Sequence, residues 1–239
     1  MAEAQLGVLL QSLAGKAGTA VFQRSSNGIV VRPRVKGANP RTPAQEAVRA
    51  ALTKASRDWA SFNPAQVAEW RQFASFQVHH DQISGKGYKP QGINAYMELA
   101  CKFYLVNPNG TAPTTPPATP FEGDTVTITA TADTGTITFT ASGANAANVT
   151  TEFLLQPLRN ANRKPQKNGY RSKGFFAFSA GNLSHEIEVP SGYYAAGYRF
   201  VNSATGQATE PKYLTVQQVT LSLASGKDEK GTGKAKKAA

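Results

Sequence analysis

Residues 126–131 read Val-Thr-Ile-Thr-Ala-Thr, and residues 136–140 read Thr-Ile-Thr-Phe-Thr. Apolar and polar side chains alternate in both stretches and β-branched residues dominate them, which is typical of half-buried β-strands. About seven short strands over about 105 residues predict an all-β sandwich of immunoglobulin-like size. The further predicted strands are Val149–Leu155, Phe175–Phe178, His185–Val189, Tyr194–Asn202 and Lys212–Leu223.

A proline-rich segment precedes these strands. Residues 107–120 contain five prolines and four threonines. Proline can neither continue a helix nor donate a hydrogen bond in a sheet, so the segment is expected to be a stiff, extended linker. The predicted parts are a hairpin-plus-helices domain over residues 1–108, a linker over 109–120, the sandwich over 121–224 and a Lys-rich flexible tail over 225–239.

The N-terminal part begins with a predicted β-hairpin. The β-rich stretches at residues 19–24 and 28–35 flank Asn27-Gly28, a dipeptide that tolerates the positive φ angles of a tight hairpin turn. Pro33 lies in the second stretch and lacks the N–H that a central strand needs. We therefore expect that strand at an edge of its sheet.

Three helices are predicted after the hairpin. Residues 42–45 and 63–66 read Thr-Pro-Ala-Gln and Asn-Pro-Ala-Gln, and each supplies an N-cap, a proline at the first helical position and a glutamine two residues later. A third helix is expected over Ile93–Leu105, which completes an α+β N-terminal domain. The helical spacing predicts two buried faces, formed by Val48, Leu52, Ala55 and Trp59 in the first helix and by Val67, Trp70 and Ala74 in the second.

The chain is strongly basic: 26 Lys and Arg oppose 15 Asp and Glu, for a formal charge of +11. This excess favours an acidic partner such as nucleic acid, contacted without sequence preference. The alternative is that the charge only keeps the protein soluble. The candidate polyanion contacts are Arg24, Arg32, Arg34, Lys36 and Arg41 around the hairpin, and Arg163, Lys164, Lys167, Arg171 and Lys173 in a basic loop that could order on a polyanion.

Residues suited to catalysis or metal binding are few. His79-His80-Asp81 lacks a nearby third ligand, and Cys101 lies on the apolar stripe of the third predicted helix. Neither a nucleophile elbow nor a phosphate-binding loop occurs. We therefore expect no enzyme, no cofactor and no metal. The sequence also has no apolar stretch of membrane-spanning length and no secretory pattern at its start, so a cytoplasmic protein is expected before any assembly.

Two resemblances point in the same direction. Residues 190–206, with Glu210-Pro211, resemble the last two strands of a fibronectin type III domain, which implies a sandwich of that kind. The N-terminal pattern resembles an uncharacterised family of proteins found in bacteria and their phages. Members of that family carry a β-sandwich after the same opening, so the resemblance implies a virion-type role. This pattern comprises Gly15-Lys16-x-Gly18-x-x-Val21-Phe22, Arg32-x-Arg34, Asn39-Pro40-x-Thr42-x-x-Gln45-x-x-x-Arg49, Trp59 and Trp70.

The leading hypothesis is a non-enzymatic structural or assembly protein, such as a phage virion component. It would contact other protein subunits, either copies of itself or other proteins of a virion. The alternative is a nucleic-acid-binding protein that contacts the phosphate backbone through the basic hairpin and the tail. An enzyme with the sandwich as an accessory module is a third hypothesis, for which the sequence offers no acid/base pair.

Overall fold

The computed structural model describes residues 2–4, 14–25, 28–35, 37, 39–80 and 87–220. The chain divides into two units, Met1–Ala95 and Tyr96–Ala239. Within the described ranges it contains three α-helices and several antiparallel sheets. None of the described helices is long and apolar enough to cross a membrane. The predicted tail, residues 225–239, lies outside the described residues.

The first unit contains a four-stranded antiparallel sheet in the order β1-β4-β3-β2. The predicted hairpin is confirmed, because β3 and β4 pair from Ala20↔Pro33 to Ser25↔Gly28; Ser26 and Asn27 lie outside the described residues. The strands are β1 (Ala2–Ala4), β2 (Gly15–Ala17), β3 (Ala20–Ser25) and β4 (Gly28–Pro33).

The edge position expected for the strand containing Pro33 is wrong, since β4 lies between β1 and β3. The pairing of β1 with β4 runs only from Ala4↔Ile29 to Ala2↔Val31. Pro33 therefore lies beyond that ladder, and its missing N–H leaves no hydrogen bond to β1 unmade.

Helices α1 (Pro43–Ala60) and α2 (Pro64–Phe76) begin where the capping pattern predicts. Thr42 Oγ1 accepts a 3.4 Å hydrogen bond from the Gln45 N–H. Asn63 and Gln66 form a reciprocal capping box, with both hydrogen bonds at 2.9 Å. These side chains satisfy backbone N–H groups that the first helical turn leaves without partners.

The buried face of α1 differs from the predicted one. Ala51 and Ala55 are buried, whereas Val48 and Leu52 are 52% and 49% exposed. The predicted face and the observed buried face share Ala55, and they differ in whether Leu52 or its neighbour Ala51 points inward. Both faces have helical spacing, so periodicity alone cannot choose between them. In α2, Trp70 and Ala74 are buried as expected.

The second unit contains a β-sandwich. All seven predicted strands are present within the described residues, although one covers Arg171–Phe176 instead of Phe175–Phe178 because its polar first half pairs with β9. Residues 221–223, the end of the last predicted strand, lie outside the described residues. The strands form a three-stranded sheet β11-β8-β7 and a four-stranded sheet β10-β9-β12-β13. They are β7 (Ile128–Ala132), β8 (Thr136–Ala141), β9 (Val149–Leu158), β10 (Arg171–Phe176), β11 (Ser184–Glu188), β12 (Gly192–Asn202) and β13 (Lys212–Val219).

The core of the sandwich lies between its two sheets. Phe139 of β8 and Phe153 of β9 are both fully buried, and their ring centroids are 4.5 Å apart. Leu155 and Phe200 extend this cluster along the four-stranded sheet. A short two-stranded ladder, β5 (His79–His80) with β6 (Gly87–Tyr88), completes the described strands and belongs to the first unit.

Helix α3 (Gly92–Val106) confirms the third predicted helix, but the unit boundary falls inside it. From Tyr96 onward α3 belongs to the sandwich unit. Asn107, just after the helix, donates a 2.7 Å hydrogen bond from Nδ2 to the carbonyl of Ser203. A Cβ at Gly206 would overlap the Leu99 carbonyl, so the β12–β13 turn lies directly against α3.

The boundary therefore differs from the one expected at the linker over residues 109–120. Ala112 is buried, and its N–H donates a 3.2 Å hydrogen bond to the hydroxyl of Tyr104. Gln207 Nε2 donates to the Thr119 carbonyl at 3.1 Å. The proline-rich segment is thus held by hydrogen bonds within the second unit. The chain bends at Thr114-Thr115 and Ala118-Thr119, and the prolines do not separate the segment from the sandwich.

Candidate functional site

The hairpin cations lie on the first unit. Arg32 and Arg34 are exposed at the end of β4 and just after it, and Arg41 is exposed with a positive φ of 49°. Arg32 is paired with Val21, and the Arg34 N–H donates a 2.6 Å hydrogen bond to the Thr19 carbonyl. Lys36 lies outside the described residues, and only the strand position of Arg24, opposite Ile29, is described.

The second group of predicted contacts lies in the other unit, within a basic loop over residues 159–173 that joins β9 to β10 and includes the first residues of β10. Every cation of this loop is exposed, and in the described part of the chain none of them forms an ion pair with a carboxylate. The loop carries six cations and no acidic residue. They are Arg159, Arg163, Lys164, Lys167, Arg171 and Lys173.

Hydrogen bonds within the basic loop and to Gln156 of β9 give it a defined conformation without a polyanion. Gln156 Oε1 accepts a 3.0 Å hydrogen bond from the Gln166 N–H. A 3₁₀ turn follows at Lys167–Gly169. Arg171 then donates from Nη1 to the carbonyls of Asn168 and Tyr170, at 3.2 and 3.4 Å.

A pair of aromatic rings adjoins this loop: Tyr213 is exposed, Tyr170 is half-buried, and no local sequence pattern singles the pair out. The ring centroids of Tyr170 and Tyr213 are 4.8 Å apart with 37° between the ring planes. Burial and the neighbouring Tyr213 raise the pKa of Tyr170. The two residues are far apart in sequence. Only the repeated occurrence of tyrosines next to basic residues could have suggested the pair.

A buried ion cluster lies on the outer face of the four-stranded sheet. Glu152 Oε2 accepts a 2.6 Å hydrogen bond from Arg199 Nε and forms an ion pair with Lys102 Nζ, 2.8 Å away. Burial opposes ionisation, but the bond from Arg199 and the charge of Lys102 outweigh it and hold the pKa of Glu152 below its usual value. The signal in the sequence is a single acid within an otherwise uncharged strand.

This ion cluster has a structural role: it holds helix α3 on the four-stranded sheet. Lys102 is on α3, while Glu152 and Arg199 face each other on β9 and β12. Burial is the main cause that lowers the pKa of Lys102, and Glu152 opposes it. The three charges satisfy one another, and they fix the helix on the sheet.

The residues considered for metal or catalytic chemistry are His79, His80, Asp81 and Cys101. His79 pairs with Tyr88 in the β5–β6 ladder, and Asp81 lies outside the described residues. Burial raises the pKa of the Cys101 thiol, which disfavours the nucleophilic thiolate. No group of three or more His, Cys, Asp or Glu suited to a metal ion occurs among the residues that the structure describes.

A shallow depression of about 540 Å³ lies at one end of the sandwich. Its single carboxylate is Glu188, so its lining provides no acid/base pair. The lining residues are Thr134, Gly135, Thr136, Glu188, Val189 and Pro190.

Comparison with known proteins does not assign this chain to a family. No family model and no curated protein match the chain. Among solved structures, fibronectin(III)-like modules of Clostridium thermocellum CbhA are 14% identical with a TM-score of 0.28, covering 40% of this chain and 97% of theirs. Bacillus amyloliquefaciens CBM33 is 21% identical with a TM-score of 0.27, covering 38% of this chain and 56% of its own. Entomopoxvirus fusolin is 12% identical with a TM-score of 0.26, covering 85% of this chain and 74% of its own. Similarities this low assign neither a family nor an activity.

Proposed function

We propose that this chain is a non-enzymatic structural or assembly protein, such as a component of a phage particle, and that its first unit contacts other protein subunits. The observation that carries the proposal is an excess of exposed apolar side chains there. Among the described residues seven large hydrophobic side chains are exposed, and six of them belong to the first unit. They are Val35, Val48, Leu52, Phe76, Val78 and Tyr88.

The described core of the first unit is correspondingly small. Ile29 and Trp70 are its only large buried apolar side chains in the described residues, and its other buried residues there are alanines, Pro90 and Gly92. Full burial of a large side chain is worth roughly 1.5–3 kcal/mol, so two of them offset little of the entropy that the unit loses on folding. Burial of the exposed side chains against another subunit would supply the missing stabilisation.

Helix α1 offers the best-defined contact surface. Val48 and Leu52 lie one turn apart, on the same exposed face. We expect copies of this chain to associate through this face, in the cytoplasm before a particle forms. A helix face with apolar residues at this spacing suits packing against another helix or a sheet.

The test is the molar mass of the full chain by size-exclusion chromatography with light scattering. The wild type is expected to form oligomers, and the Val48→Glu/Leu52→Glu variant to run as a monomer with unchanged circular dichroism. Thr53→Glu adds a charge at an exposed polar position of the same helix and serves as the matched control. A monomeric wild type over the whole accessible concentration range would overturn the proposal.

We further propose that the sandwich is of the fibronectin type III or immunoglobulin kind. Tyr194 of β12 donates a 2.9 Å hydrogen bond from its hydroxyl to the carbonyl of Pro190, four residues upstream. This contact has the form of the tyrosine corner found in such domains. The division into three-stranded and four-stranded antiparallel sheets supports the same assignment.

Contact with nucleic-acid phosphates through the hairpin is the second candidate function. It is favoured by Arg32 and Arg34, which are exposed and form no ion pair within the described ranges. If it is correct, Arg32→Ala/Arg34→Ala should reduce the slope of log affinity against log salt by about 0.9 per lost phosphate contact on duplex DNA. An unchanged slope would eliminate the hairpin as the contact.

A further inference from the structure

The outer face of the four-stranded sheet carries an aromatic platform formed by Tyr170 and Tyr213. Tyr213 lies on the edge strand β13 opposite Gly197 of β12. A Cβ placed on Gly197 would lie 3.4 Å from Tyr213 Cδ1 and 3.7 Å from Tyr170 Cε1, so both rings lie over the surface that this glycine leaves open. Tyr213 is 46% exposed, and its ring is therefore available for stacking.

Unpaired positive charge borders this platform. Lys167 begins the 3₁₀ turn that leads into Tyr170, and Arg171 follows it at the start of β10. Both side chains are exposed. The hydrogen bonds from Arg171 to the carbonyls of Asn168 and Tyr170 hold its guanidinium beside the platform.

We propose that this surface binds single-stranded nucleic acid. Bases would stack on the Tyr170–Tyr213 platform, and the phosphates on either side would contact Lys167 and Arg171. Stacking on aromatic side chains requires bases that are not already stacked in a duplex, and a basic border is what a phosphate backbone requires. The site does not depend on the proposed assembly function, because it lies in the other unit.

The charges favour this ligand over a neutral polysaccharide. A sugar ring can also stack on tyrosine, but six cations with no acid in the adjoining loop contribute nothing to binding an uncharged chain. Double-stranded DNA is disfavoured as well, since the platform offers neither a helix nor a ribbon to enter a groove.

The test is fluorescence anisotropy of a labelled oligothymidylate, about 15 nucleotides long, titrated with the full chain. Tyr170→Ala/Tyr213→Ala should weaken binding about tenfold or more, whereas Tyr170→Phe/Tyr213→Phe should bind like the wild type because the ring faces remain. Tyr88→Ala removes a tyrosine of similar exposure (52%, against 46% for Tyr213) from the first unit and is the matched control. Thermal melting confirms that each variant is folded.

The cations are tested by salt dependence. Lys167→Ala/Arg171→Ala should reduce the slope of log affinity against log salt by about 0.7 for each cation removed, the value for single strands. Arg57→Ala/Arg71→Ala, which removes two exposed cations from α1 and α2, is the matched control and should leave the slope unchanged. A slope that falls with Arg32→Ala/Arg34→Ala but not with Lys167→Ala/Arg171→Ala would assign the nucleic acid to the hairpin and overturn the proposal.

Two competitors distinguish other ligands. Heparin supplies anionic groups without bases, and cellohexaose supplies sugar rings without charge. If the tyrosine variants bind oligothymidylate as tightly as the wild type and heparin displaces it fully, the contact is electrostatic only and the stacking site is refuted. If cellohexaose binds in a tyrosine-dependent way while oligothymidylate does not, the platform is a carbohydrate site.

Discussion

Glu152 and Arg199 face each other on neighbouring strands of the four-stranded sheet, and the carboxylate accepts a 2.6 Å hydrogen bond from the guanidinium Nε. Both side chains point away from the sandwich core, because the core residues of β9 and β12 occupy the alternate positions. The pair is nevertheless largely buried, since Lys102 of α3 approaches the same carboxylate. The ion cluster of Glu152, Arg199 and Lys102 therefore joins α3 to the sandwich within the second unit.

Removing the charge of Glu152 should destabilise the second unit. Glu152→Gln leaves Lys102 and Arg199 facing each other without a counter-charge in a largely buried position. We expect the free energy of unfolding to fall by about 3 kcal/mol, measured by denaturant titration. Glu186→Gln, at an exposed position of β11, should change it by less than about 0.5 kcal/mol. Equal effects of the two substitutions would contradict the structural role of the cluster.

The turn between β12 and β13 should tolerate no side chain at residue 206. Gly206 has a φ of +78°, and a Cβ there would overlap the Leu99 carbonyl of α3. Gly206→Ala should therefore cost more than about 2 kcal/mol of unfolding free energy, since strain and overlap add. Gly143→Ala is the control, because a Cβ at Gly143 meets no atom within 4 Å. If Gly206→Ala melts at the wild-type temperature, α3 does not lie against this turn.

The stability of the sandwich should fall as the pH falls below 7. His185 of β11 stacks between the rings of Phe153 and Phe176, with centroids 5.1 and 4.5 Å away. Burial lowers the pKa of His185 from 6.5, so the folded state favours the neutral imidazole. The contribution is complete above the unfolded pKa and is lost as the pH falls from 6.5 toward the folded value.

Melting temperatures between pH 7 and pH 5 measure this loss. The wild type should melt at a lower temperature at pH 5, and His185→Phe should show a smaller decrease because its ring still stacks but cannot be protonated. The carboxylates Glu152 and Asp124 have lowered pKa values and titrate below this range. Identical pH profiles for the two proteins would rule out His185 as the titrating group.

The two tryptophans of the first unit should differ in importance. Trp70 is 2% exposed, so Trp70→Ala should cost about 3–5 kcal/mol and unfold a unit with so small a described core. Trp59 is only partly buried, and Trp59→Ala should cost less. In each variant the fluorescence of the remaining tryptophan reports unfolding of this unit. A larger loss for Trp59→Ala would show that the unit packs differently.

Much of the local structure could be predicted because it depends on neighbours in sequence. Thr42 and Asn63 start helices through hydrogen bonds to residues three positions later, and Asn27-Gly28 favours a hairpin through the φ angles that its residues tolerate. Alternation located the strands of the sandwich for the same reason, since one face of each strand must be apolar.

The candidate site was only half predicted. The basic loop is visible as a run of cations, but its aromatic platform requires Tyr170, just before β10, to meet Tyr213 of β13. The stripe that α1 buries was also missed, because Ala51 and Val48 both fit a helical period and only the neighbouring elements select one of them.

The sequence by itself determined where the three helices, the hairpin strands and most strands of the sandwich lie, since caps, turns and side-chain alternation act over a few residues. It did not predict the short strands β1, β2, β5 and β6, which depend on their pairing partners. The tertiary structure alone decided that α3 joins the sandwich, that the proline-rich segment is no boundary and that Glu152 is buried with two cations. An amphipathic helix must cover its apolar face, but its pattern does not specify which surface it covers. That choice depends on contacts between residues distant in sequence, such as Lys102 with Glu152, which no local pattern encodes.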